Sequence, residues 1–143
     1  MMKQFLKSVL LMSFLISVDG MAHDMDNGIL PVSASASSIW YVTCSDDGNG
    51  GEPINLAVSM NNKTKNGPMV SLQIITHQTP PKFFNIADPV GGDNQSSAEI
   101  STKSGSSHYI LVNKSSSGQV AYHFTYHCMS ASGHTGTEIQ QIQ

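Results

Sequence analysis

Apolar residues follow two different patterns along this chain. Ser8 to Val18 (SVLLMSFLISV) is one unbroken apolar run, whereas beyond Asp19 they come in short alternating stretches between clusters of Gly, Asn, Asp, Ser and Pro. Alternation at period two is the pattern of a half-buried strand, and the 3.6-residue spacing of a helix is nearly missing after the first run. Ile39 to Cys44 (IWYVTC) puts Trp40, Val42 and Cys44 on one face, and Ile54 to Met60 (INLAVSM) alternates in the same way. Met69 to His77 follows, broken by Pro80-Pro81, with Phe83 to Ala87 as a short edge strand and Ala98 to Lys103 as a weak one. His108 to Asn113 and Val120 to Cys128 flank the turn KSSSGQ and read as a hairpin, and Thr137 to Ile142 closes the series. About seven or eight strands with turn clusters between them predict an all-β, antiparallel two-sheet sandwich, immunoglobulin-like or jelly-roll. Its core is expected from Trp40, Val42, Leu56, Val58, Ile74, Ile110, Val112, Phe124 and Tyr126.

The unbroken run changes the organisation. Lys3 and Lys7 precede it and the small residues of DGMA (19–22) follow it, which are the parts of a secretory signal peptide. The run is too short to span a bilayer, which takes roughly 20 apolar residues, so no membrane insertion is expected once the leader is removed. Cleavage fits after Ala22, leaving His23 first, or after Gly20, leaving Met21 first. The division is then a leader at 1–22, a polar lead-in at 23–38 and a sandwich domain at 39–143, exported to a periplasm or the extracellular space.

Export gives the cysteines a meaning. Cys44 and Cys128 are the only two, 84 positions apart, and an oxidising compartment favours one disulfide between them. Both have the apolar parity of a strong strand, so the bond would pin two facing sheets. Tyr126, two residues before Cys128, resembles the tyrosine-corner spacing of immunoglobulin-like domains, although Trp40 shares a strand with Cys44 instead of following it.

The stretch from Ala98 to Cys128, centred on HYILVNKSSSGQVAYHFTYHC, resembles the closing hairpin of bacterial pre-peptidase C-terminal jelly-roll domains. It covers about a quarter of the chain that follows the leader, on the scale of one hairpin in a domain of this size. That resemblance implies an accessory, non-catalytic secreted module and transfers no functional residue.

Charge narrows the partners. All basic residues are lysines, and without the leader five of them face nine acids, a formal balance near −4. Nucleic-acid surfaces are basic and arginine-rich, so that partner is not expected. An unidentified protein or small ligand remains, and the oligomeric state is open. No G-x-S-x-G elbow, H-E-x-x-H pair or phosphate-binding Gly loop occurs, and the chain reads as a non-enzyme. The acids Asp46, Asp47 and Glu52 and the GGDN run at 91–94 lack EF-hand spacing and read as solvated turns.

Histidine is the residue type left with chemistry to offer. His123 and His127 share the strand face opposite Tyr122, Phe124, Tyr126 and Cys128, about 13 Å apart, too far to hold one ion together. A solvated outer face is the simpler reading of both. His108 has inward parity, His77 ends a strand, and His134 lies in the loop SASGHTG. His23 differs because cleavage after Ala22 would give it a free α-amine. Amine and imidazole together chelate Cu(II), with His134 the first choice for a further ligand and His123 or His127 the alternatives. Cleavage after Gly20 would instead start the chain Met-Ala-His, whose amine, two amides and imidazole bind the same ion in a square plane. Three functions therefore stand side by side: an accessory binding module, a copper-binding protein using His23, and a structural or surface-assembly protein.

Overall fold

The structure, a computed structural model, describes residues 23–143. The expected leader at 1–22 lies outside the described residues. Among the described residues there are ten strands: β1 (His23–Leu30), β2 (Ser38–Ser45), β3 (Asn55–Asn62), β4 (Val70–Thr76), β5 (Phe83–Asp88), β6 (Ile100–Ser101), β7 (His108–Lys114), β8 (Val120–Ser130), β9 (Gly133–His134) and β10 (Gly136–Gln141). They form two antiparallel sheets, and the described residues contain no helix. The first runs β1-β8-β3-β6, with β9 also paired to β8, and the second runs β10-β2-β7-β4-β5.

Period-two alternation places the core between the sheets. Val42, Leu56, Val58, Ile74, Ile110, Val112 and Phe124 have no exposed surface, and Tyr126 is buried. Trp40 and Cys44 are half-buried and pack against this cluster. Cys44 on β2 is bonded to Cys128 on β8, joining one sheet to the other with 5.6 Å between their Cα atoms.

Two expectations need correcting. The polar lead-in at 23–38 begins with a strand, because β1 pairs with β8 from His23↔Tyr126 to Leu30↔Val120. A bulge between Met25 and Gly28, with Asn27 at φ 61°, shifts the alternation, so that Met25, Gly28 and Leu30 all face inward. That shift removes the period-two signal from the sequence. The second correction concerns His108 to Asn113 and Val120 to Cys128, which are not a hairpin. β7 lies in one sheet and β8 in the other, and the KSSSGQ segment crosses between them. Gly118 (φ 128°) turns this crossing, and the Lys114 ammonium donates to the carbonyls of Pro31 and Gly118 beneath it.

The inward histidine is confirmed as a hydrogen-bonded core residue. His108 has no exposed surface, and its Nε2 lies 3.1 Å from Thr102 Oγ1, a hydroxyl that also accepts the Leu56 N–H and donates to the Ser104 carbonyl. Burial pulls its pKa down to about 4, a shift the Ser104 backbone opposes only in part. An unfolded histidine takes up its proton near pH 6.5 and the folded one only near 4, so this stability is complete above about pH 6.5 and is lost as pH falls toward 4. The loss is on the order of 3 kcal/mol. Urea unfolding at pH 7 and pH 4.5 should show it, and NMR titration should find the His108 ring neutral at pH 5.5. A ring titrating near 6.5 would contradict the assignment.

Candidate metal centre

The histidines gather on the outer face of the first sheet. Along β8 the inward residues are Tyr122, Phe124, Tyr126 and Cys128, and the outward ones are His123, Thr125, His127 and Met129. On one side of β8 runs β3, which sets Asn61 opposite His123, Ser59 opposite Thr125 and Ala57 opposite His127. On its other side lie β1 and then β9, since Met129 has Asn55 as one neighbour and His134 as the other.

The outward histidines divide into two groups. His123 Nε2 sits 3.4 Å from Asp24 Oδ1 and 3.5 Å from Asp26 Oδ1, an ion pair at the β1 bulge with both carboxylates largely in solvent. Such a pair at a wet surface contributes little to stability. His127 and His134 form the second group. Their rings stack with centroids 4.6 Å apart at 27°, and Glu99 Oε2 lies 3.6 Å from His127 Nε2.

Local structure fixes His134. The Ser130–Gly133 turn folds β9 back on β8, with Gly133 at φ 134°, so His134 faces Met129 directly and His127 diagonally. The next residue locks this strand, since Thr135 N–H donates to the Cys128 carbonyl and its hydroxyl to the Gly51 carbonyl at 2.6 Å. The loop after β2 comes so near that a Cβ on Gly50 would meet the His134 carbonyl oxygen at 2.0 Å, so only glycine fits there. Ser132 Oγ donates to the Gly50 carbonyl at 2.6 Å and completes the clamp.

The surroundings of His127 disfavour its protonated form. Burial lowers the His127 pKa most, the neighbouring His134 ring lowers it further, Glu99 opposes both, and His23 adds a smaller lowering. A carboxylate beside Nε2 favours the tautomer that carries the proton there and leaves the His127 lone pair at Nδ1. That Nδ1 and the Nδ1 of His134 are both buried without a hydrogen-bond partner, as is the Nδ1 of His108 in the core, and only the first two share one face. Asn55 Oδ1 and Asn61 Oδ1, on the same face, are unpartnered as well. The arrangement Glu99–His127 has the order of a carboxylate orienting a metal-ligating imidazole through its far nitrogen.

His23 ends β1 at this place. Its ring is exposed and stacks on Tyr126 at 5.8 Å and 26°, on the parity opposite to His127. Among the described residues no three His, Cys, Asp or Glu side chains converge on one point, so side chains alone provide the two-imidazole pair and not a closed shell. His134, read from sequence as a loop residue, stands on β9 beside His127, while His123 is held apart by Asp24 and Asp26. Glu99, Asp24 and Asp26 were not singled out by sequence reasoning, because each reaches its histidine across a strand pairing. On the opposite sheet a shallow depression of about 310 Å³, lined by Tyr41, Thr43, Glu138, Ile139 and Gln140, has one carboxylate and no imidazole.

Fold and site together define a disulfide-bonded antiparallel β-sandwich with a histidine-rich outer face. No protein-family model, no curated protein and no solved structure matches the chain.

Proposed function

We propose that this protein is an exported, non-catalytic binding module whose ligand is a transition-metal ion, copper foremost, taken up between His127 and His134. The observation that carries this reading is that two neighbouring stacked rings each bury an unpartnered Nδ1. Metal binding requires deprotonated imidazoles, and the lowered His127 pKa keeps that ring in its ligating form to below the usual range. Imidazole suits copper and zinc alike, and copper has the higher affinity at a given nitrogen site. Met129, the cross-strand partner of His134, brings a soft thioether to the same neighbourhood, which favours Cu(I) over harder ions. The leader-like opening of the sequence supports export, and the disulfide agrees with an oxidising compartment.

Copper titration of the folded protein, followed by calorimetry and by visible absorption of Cu(II), tests the reading. His127→Ala and His134→Ala should each weaken binding at least about tenfold, the range seen when a ligand or its support is lost. His77→Ala, in the other half of the molecule beside Tyr109, should leave binding unchanged. Binding should weaken as pH falls, because His127 must be deprotonated to ligate, and its lowered pKa carries that loss below the ordinary imidazole range. If the His127→Ala/His134→Ala double variant binds copper like the parent, this site is not the metal site.

A further inference from the structure

The pair His127–His134 needs another donor, and the strand register points to one. Tyr126 faces His23 on one side and Val58 on the other, and Met129 faces His134 on one side and Asn55 on the other. β1 and β9 therefore lie end to end along the same edge of β8. The levels of His23 and His134 are three residues apart on β8, about 10 Å, with His127 between them. Because β1 runs antiparallel to β8, the backbone nitrogen of His23 is the end of that residue directed toward His127. The His23 ring, by contrast, is taken up by Tyr126 on the other parity.

We infer that removal of a leader ending at Ala22 completes the metal site, the free α-amine of His23 becoming a third nitrogen ligand beside His127 and His134. This rests on the metal-binding reading given above. In a longer chain the His23 nitrogen is a peptide amide, whose lone pair is delocalised into the carbonyl and which ligates only after losing its proton, so it is a far poorer donor than a free amine. A leader peptidase adds water across the Ala22–His23 bond, leaving a carboxylate on Ala22 and an amine on His23. The new amine has a pKa of about 7.7–8.0 and gives up its proton to a metal ion readily. Three nitrogens and one open position match the tetragonal preference of Cu(II). Processing thus acts as the switch, and the unprocessed chain is left with the weaker two-imidazole pair.

The test compares two otherwise identical chains, one starting at a free His23 and one with the His23 amine acetylated. Cu(II) is the probe, with affinity from competition titration and nitrogen count from electron paramagnetic resonance. The free-amine chain should bind at least tenfold more tightly and show three nitrogens, the acetylated chain two. Equal affinity in both, lost in each on His127→Ala, overturns the role of the amine while the two-histidine site stands. Copper binding in neither chain overturns the metal reading together with it.

Discussion

Removing the Cys44–Cys128 bridge, as Cys44→Ala/Cys128→Ala, should lower the unfolding free energy by about 2–5 kcal/mol. The bond closes a loop with a separation of 84 residues between β2 in one sheet and β8 in the other. In the chain-entropy account such a loop restricts the unfolded chain by about 4–5 kcal/mol, which is an upper figure. The double substitution is the better variant, because a single one leaves a lone thiol against the core. Urea unfolding monitored by Trp40 fluorescence measures the loss. Reduced parent protein should unfold close to the double variant, since both lack the same constraint. A loss under about 1 kcal/mol would show that the strand pairings alone hold the two sheets in place.

Truncating Phe124 should cost about 3–5 kcal/mol. Its ring has no exposed surface and lies under Trp40, which approaches edge-on at 5.8 Å and 76°, with Tyr122 and Tyr126 at 6.4 Å and 5.7 Å on its own strand. Met25 and Met60 stand opposite it on β1 and β3. Phe124→Ala removes the ring from the middle of this cluster and leaves a cavity that three neighbouring strands cannot close together. Phe124→Leu should cost less, because most of the volume is kept. The adjacent outward residue gives the contrast: Thr125→Ala loses one hydrogen bond to Ser59, 2.7 Å long and half-exposed, and should cost about 1 kcal/mol. Equal losses at positions 124 and 125 would overturn the register of β8.

The candidate site was legible only in fragments. The outward parity of His123 and His127 follows from alternation against Tyr122, Phe124, Tyr126 and Cys128, and no further structure is needed to see it. The stacking of His134 on His127 depends on recognising a tight turn at Ser130–Gly133. In the sequence SASGHTG that turn looks like a loop of no particular register, and a strand of two residues has no periodicity to detect. Once the turn is known, His134 falls opposite Met129 and diagonal to His127, so Gly133 was the available signal. Glu99 carried none, because its role comes from how the segment leading into β6 passes β8 at the far side of β3.

What the sequence determined by itself is which side of each strand faces inward. Alternation of apolar and polar residues is a local property, and it assigned the core from Val42 to Tyr126, the inward His108 and the two cysteines that meet across the interior. What only the tertiary structure decided is which strand lies beside which. Val120 to Cys128 has the same inward face whether it folds back on β7 in one sheet or crosses over to face it from the other. The burial is alike in both arrangements, and the choice is made by long-range pairing with β1 and β3. The same holds for β1, whose bulge at Asn27 hides its alternation until β8 supplies a partner. Because the histidine pair is built from cross-strand neighbours, its existence depends on that long-range pairing and not on any local pattern.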